Sequence, residues 1–87
     1  MTVLVDPPLW PHHGRLWSHL VSDTSLSELH AFAAAAGIPE RAFDQDHYDV
    51  PDEMHARLIE LGADPVDTRE LVLRLRASGL RVRARDR

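Results

Sequence analysis

Six carboxylates surround one imidazole between residues 40 and 53. Glu40, Asp44, Asp46, Asp49, Asp52 and Glu53 flank His47, and the central run is Asp46-His47-Tyr48-Asp49. Carboxylate oxygen and imidazole nitrogen together form the ligand set of a divalent transition metal or of magnesium. The plain alternative is a solvated acidic loop in which Asp49 caps the next helix and Tyr48 covers the core, and no fixed ligand spacing decides between them. A second group surrounds His19, which shares a strand face with Trp17 and Val21. Asp6 and Asp23 each follow a strand end, where sites of open α/β sheets gather. Two carboxylates there can hold a metal or act as acid and base; equally, both can cap turns around an interior, hydrogen-bonded His19. His30 lies at the rim of a helix's apolar face, four residues after Leu26 and three before Ala33. On that spacing alone it is a boundary residue. His55 turns away from the apolar stripe of its helix, and His12 and His13 fall in a proline-rich loop that can fold over a site.

Other chemistries find less support. The opening Asp23-Thr24-Ser25 offers free backbone N–H groups to an anion, but Asp23 opposes an anion unless a cation lies between. The chain has no Gly-rich phosphate loop, no Gly-x-Ser-x-Gly elbow and no His-Glu-x-x-His run. Residues 69–87 carry seven arginines against two acids, whereas residues 1–68 carry three against twelve, within a net charge of −4. Arg69, Arg76 and Arg83 could track a phosphate backbone. Yet Trp10, Trp17, Phe32, Phe43 and Tyr48 all lie elsewhere, leaving no interleaved stacking platform. The acidic remainder also repels nucleic acid, so nucleic-acid binding is disfavoured.

Positioning these residues requires a fold. With 44% hydrophobic and 28% charged residues in 87 positions, the sequence reads as one globular domain, residues 1–87, with 84–87 as a flexible tail. Its core is thin, so a homo-oligomer or a larger protein partner would help stability. The absence of cysteine excludes disulfides and thiolate sites. The N-terminal Met-Thr-Val-Leu-Val-Asp resembles neither a signal peptide nor a membrane span, so the cytoplasm is the expected compartment.

Val3-Leu4-Val5 reads as a buried strand, residues 7–14 as a proline-rich loop, and Leu16–Val21 as an alternating strand. Ser25 with Glu28 matches a capping box, and Leu26, Leu29, Phe32, Ala33 and Ala36 share one helical face before Gly37. Residues 38–50 form a long loop. Pro51 suits a first helical position, followed by Met54, Leu58 and Leu61. Ala63–Val66 suits a short edge strand, since Pro65 cannot donate to a ladder. Asp67 or Thr68 caps a third helix carrying Leu71, Val72 and Leu75, and the alternation from Leu80 to Arg85 suggests a last edge strand. The expected fold is α/β, a small mixed β-sheet covered by about three helices, mainly on one face.

The N-terminal Val-Asp, the segment Gly14 to Thr24, Glu28-Leu29-His30, Gly37-Ile38, His47-Tyr48-Asp49 and Gly62-Ala63 resemble a small bacterial and phage domain, domain-of-unknown-function family 4031. The resemblance spans about residues 2–83. It carries no activity, but it matches at Asp6, His19, Asp23, His30, His47, Tyr48 and Asp49 and not at His12, His13 or His55. The Asp6-to-Pro11 opening is more proline-rich here than in the family pattern. These matches select among the histidines, and the residue chemistry then gives the expected site: His19, His30, His47 and Asp49 bind zinc, manganese or magnesium, with Asp6, Asp23, Asp49 and Tyr48 as catalytic groups. Metal-dependent hydrolysis of a phosphoester, or of another small molecule, is the leading expectation. Its rival is a non-catalytic interaction module in which the same residues form an internal polar network.

Overall fold

A computed structural model describes residues 2–82 of the chain. Apolar β-branched and leucine side chains at Val3, Leu4 and Val5 build strand β1 (Val3–Val5), buried at every position. It pairs antiparallel with the longest strand, β3 (Arg15–Ser22), in the register Val3 to Ser22 and Val5 to Leu20. The proline-rich stretch before β3 is not all loop. Trp10–His12 forms β2, which pairs with the start of β3 through the two-residue turn His13-Gly14. Both turn residues have positive φ, 51° and 74°, and this matches the right-handed twist of the flanking strands. Pro11 is tolerated because β2 is an edge strand.

The acidic stretch also folds into strands. Phe43–Asp44 (β4) and His47–Pro51 (β5) make a hairpin over the turn Gln45-Asp46, and β5 pairs antiparallel with β3. Gln45 takes the left-handed conformation, φ 63°, that a tight turn demands. Pro51 therefore ends a strand rather than opening a helix. A 3-10 turn at Asp52–Met54 intervenes before helix α2 (His55–Glu60). The short strand β6 (Asp64–Pro65) lies parallel to β1 at the sheet edge, as the proline requires. The strand order is β4-β5-β3-β1-β6, with β2 beside β3, which makes a mixed sheet of six strands.

Helix α1 (Leu26–Ala35) starts where Ser25 accepts the Glu28 backbone N–H at 3.0 Å. Only half of the capping box closes, because the Glu28 carboxylate accepts the Ser22 hydroxyl instead, at 2.6 Å. Helix α3 (Thr68–Ser78) is capped by Asp67 and ends at Gly79, whose φ of 82° favours glycine. Because strand side chains alternate between faces, β1 supplies two cores. Val3 and Val5 pack with Leu20, Tyr48 and Val50 against Leu29 and Ala33 of α1 and Leu58 of α2. Leu4 and Val21 pack on the other face against Leu71 and Leu75 of α3. The three helices thus divide between both faces. Leu80, Arg81 and Val82 form no strand; the rest of the expected last strand and the tail 84–87 lie outside the described residues.

Candidate metal centre

Alternation along β3 and β5 sets the site. His19 stands directly opposite Asp49 in the ladder, and His47, two residues before Asp49, shares its face. One ligand-type atom from each of His19, His47 and Asp49 lies within 4.8 Å of the others. His47 Nε2 is 3.3 Å and His19 Nε2 3.9 Å from the same oxygen, Asp49 Oδ1. Two ligand atoms bound tetrahedrally at about 2.1 Å from one ion stand about 3.4 Å apart, so the group closes on a metal with shifts of about 1 Å.

A buried carboxylate stands behind each imidazole. Asp6, just beyond β1, is fully buried, and its Oδ2 lies 2.9 Å from His19 Nδ1 while its Oδ1 accepts the His19 backbone N–H at 2.6 Å. Thr68, at the start of α3, donates its hydroxyl to the same Oδ2 at 2.9 Å. Asp46, in the β4–β5 turn, is also buried and lies 2.7 Å from His47 Nδ1. Its other oxygen accepts the Val82 N–H at 2.8 Å and lies 3.5 Å from the Arg81 guanidinium. A carboxylate only accepts, so in each pair Nδ1 carries the proton. Each ring then turns its Nε2 towards Asp49.

Electrostatics favour the ionised form of all three carboxylates. Burial raises the proton affinity of Asp6, but the hydrogen bonds from the ring and backbone of His19 outweigh it and hold the carboxyl below its ordinary range. Asp46 follows the same balance, with the His47 ring and the Val82 N–H prevailing over burial. Asp49 is lowered chiefly by its bond with His47, against a smaller opposing effect of burial. Burial disfavours the charged His47 ring, yet Asp49 and Asp46 outweigh it and raise its proton affinity above 6.5. The pocket around Nε2 therefore favours positive charge.

The group opens into a cleft of about 410 Å³ lined by Trp10, His19, His47, Asp49, Thr68 and Arg81, among others. The Trp10 ring stands 5.2 Å from that of His19, which in turn meets His47 edge-on at 5.2 Å.

Three residues expected at the site stand elsewhere. His30 is not in the group; its Nδ1 lies 2.6 Å from the hydroxyl of Tyr48, and its ring packs against Phe43. Tyr48 alternates to the opposite face from His47 and Asp49, buried in the α1-side core. Burial, reinforced by Glu40, raises its proton affinity. Asp23 is at the wrong end of the sheet. β1 and β3 run antiparallel, so the residue after β1 and the residue after β3 lie at opposite edges, and the rule for parallel strand ends does not bring them together. There Asp23 accepts the Thr2 N–H at 3.0 Å and pairs with Arg74 at 2.7 Å. Conversely, Thr68 and Arg81 support the group without a motif to announce them, and Asp46, one of the six acidic-loop carboxylates, stands behind His47 at Nδ1. The one available signal was Asp46 beside His47, since a turn can fold neighbouring side chains together.

The family model for proteins of unknown function DUF4031 matches residues 3–78, and the chain belongs to that family. No curated protein and no solved structure matched it.

Proposed function

We propose that His19, His47 and Asp49 bind one divalent cation, and that the protein is a metal-dependent hydrolase acting on a phosphoester. A single observation carries this reading: two imidazoles, each held through Nδ1 by its own buried carboxylate, aim Nε2 at one oxygen of a third carboxylate. Such carboxylate-backed histidines fix ring orientation and raise ligand basicity. Two histidines and one carboxylate leave the remaining coordination positions to water and substrate. A divalent ion there supplies a Lewis acid and an acidified water. The chain's part is to hold the ion, keep one side open to the cleft, and offer Arg81 on the rim to an anionic ester.

Protein purified without a histidine tag is expected to carry close to one zinc, manganese or iron atom per chain by elemental analysis. A cation at 100 times its dissociation constant adds about 2.7 kcal/mol of stability, roughly 10–20 °C in Tm for a domain this small. His47→Ala should lose both while keeping its circular dichroism spectrum, and phosphate release from an aryl phosphate should require the metal. No metal, and no Tm response to zinc, manganese or a chelator, defeats the reading. Metal binding without phosphate release removes the hydrolase half alone.

The raised proton affinity of His47 favours a second reading. In it a protonated ring bridges Asp46 and Asp49, and the polar network only shapes a surface on which Trp10 meets a protein partner. Those same measurements, coming out metal-free, select it.

A further inference from the structure

Beside the three-residue group, the same sheet face carries a row of flat side chains. Trp10 pairs with Trp17 across β2 and β3, and Trp17 pairs with Pro51 across β3 and β5. Directly opposed residues share a face, so the three stand side by side over three neighbouring strands. His19 and Asp49 form the next row on that face, two residues along each strand, a step of about 7 Å. The aromatic row is preformed: the Trp17 indole N–H donates to the His12 carbonyl at 2.8 Å, which fixes its ring within the hairpin. A groove of about 780 Å³ runs over it, with Phe43 and Met54 on its wall and Arg41 at its side. This groove and the cleft holding His19 and His47 share Trp10, Asp44 and Asp49 as lining. One extended ligand can therefore occupy both, with Asp49 at the junction.

We infer that the Trp10–Trp17 shelf binds the base of a nucleotide whose phosphate lies at the His19–His47–Asp49 centre. This rests on the metal-dependent phosphoester reading and names its substrate class. A planar, electron-poor base stacks on an indole face whatever its sequence identity. An anionic phosphate suits the cation and Arg81 in the adjoining cleft, and the sugar spans the single row step between them. An aliphatic ester leaves the two indoles unused, and a bulky polymer is not needed to reach both compartments.

Trp10 and Trp17 are the only tryptophans of the chain, and both line the groove, so indole fluorescence reports occupancy directly. Untagged protein, either loaded with zinc or stripped by chelator, is titrated with AMP, adenosine and ribose 5-phosphate. AMP and adenosine should quench saturably in both forms, and zinc should tighten AMP about tenfold while leaving adenosine unchanged. Ribose 5-phosphate should leave the fluorescence unaltered. Trp10→Leu, a change at a half-exposed ring, should weaken AMP about tenfold by calorimetry and leave zinc affinity within twofold. Trp17→Leu, checked by circular dichroism because it breaks the hairpin bond, should do the same.

AMP quenching with the same affinity in zinc-loaded and stripped protein would retain the shelf and remove the metal reading beneath it. Failure of both adenosine and AMP to quench zinc-loaded protein overturns the inference while leaving the metal centre intact. So does unchanged AMP affinity in Trp10→Leu and Trp17→Leu, or self-association through the shelf that AMP does not reverse.

Discussion

Asp6→Asn tests the site through a residue that does not itself reach the cleft. The native carboxylate accepts three hydrogen bonds, at 2.6, 2.9 and 2.9 Å, and is fully buried. Asparagine can keep the first, from the His19 backbone N–H, through its remaining oxygen. Its NH2 group then faces two former donors, the Thr68 hydroxyl and His19 Nδ1. The hydroxyl can rotate to accept, whereas the imidazole can accept only by moving its proton to Nε2. That puts a hydrogen on the atom required as a metal ligand. Hydrogen bonds to charged groups contribute about 1.5–3 kcal/mol and neutral ones about 0.5–1.5. The exchange should therefore cost about 1–3 kcal/mol of folding stability in metal-free protein. Loss of a ligand's supporting carboxylate lowers metal affinity about 10–100-fold, or roughly 1.4–2.7 kcal/mol. Urea unfolding in chelator gives the first quantity, competition for zinc against a chromophoric chelator the second, and long-range proton–nitrogen NMR the tautomer. If the proton moves to His19 Nε2 and zinc still binds within twofold of the wild type, His19 is not a ligand and the proposed centre fails.

Two further predictions probe residues placed outside the centre. Tyr48→Phe removes the hydroxyl that meets His30 on the opposite face; it should cost about 1 kcal/mol in urea unfolding and leave zinc affinity unchanged, and a drop in affinity would return Tyr48 to the site. Asp23 has its proton affinity lowered: burial acts against this, and the Arg74, Thr24 and Thr2 bonds outweigh it. Its folded pKa lies below the ordinary 3.8, so its contribution is present above that value and fades as pH falls through the folded pKa. Asp23→Asn should therefore lower stability by about 1 kcal/mol at pH 7, a figure set by the partial exposure of the pair. The gap to wild type should narrow below pH 4 in urea titrations; a gap that stays constant to pH 3 would refute the ionic role.

Elements with local signals were legible in the sequence. The buried run at Val3–Val5, the alternation of β3, the Ser25 cap and the Leu71/Leu75 stripe each depend on neighbours within a few residues, and each stands in the structure. The β2–β3 and β4–β5 hairpins did not show. Their turns use His13 and Gln45 at positive φ, residue types that rarely announce such turns, and their strands of three and two residues are too short for a period to emerge. Once those hairpins are missed, the acidic segment reads as a loop and the second helix is placed four residues early, at Pro51 rather than His55.

The site was legible in proportion to how much of it strand alternation dictates. His19, His47 and Asp49 come together because the β3–β5 register puts two of them opposite each other and the period of two puts the third on the same face. Their residue types suggested a centre, but only the register could tell His47 from its neighbour Tyr48. That one-residue step sends the tyrosine into the other core, and His30 goes with it, because α1 covers that side. Spacing within the sequence cannot exclude His30, since helix α1 satisfies its own periodicity whichever sheet face it covers. Choosing among the histidines is therefore a question of sheet side, and the decisive quantity is the parity of strand register between β3 and β5. A shift of that register by one residue would expose Tyr48 to the cleft and bury His47 and Asp49 under α1, an arrangement that would strand two charged groups in an apolar core.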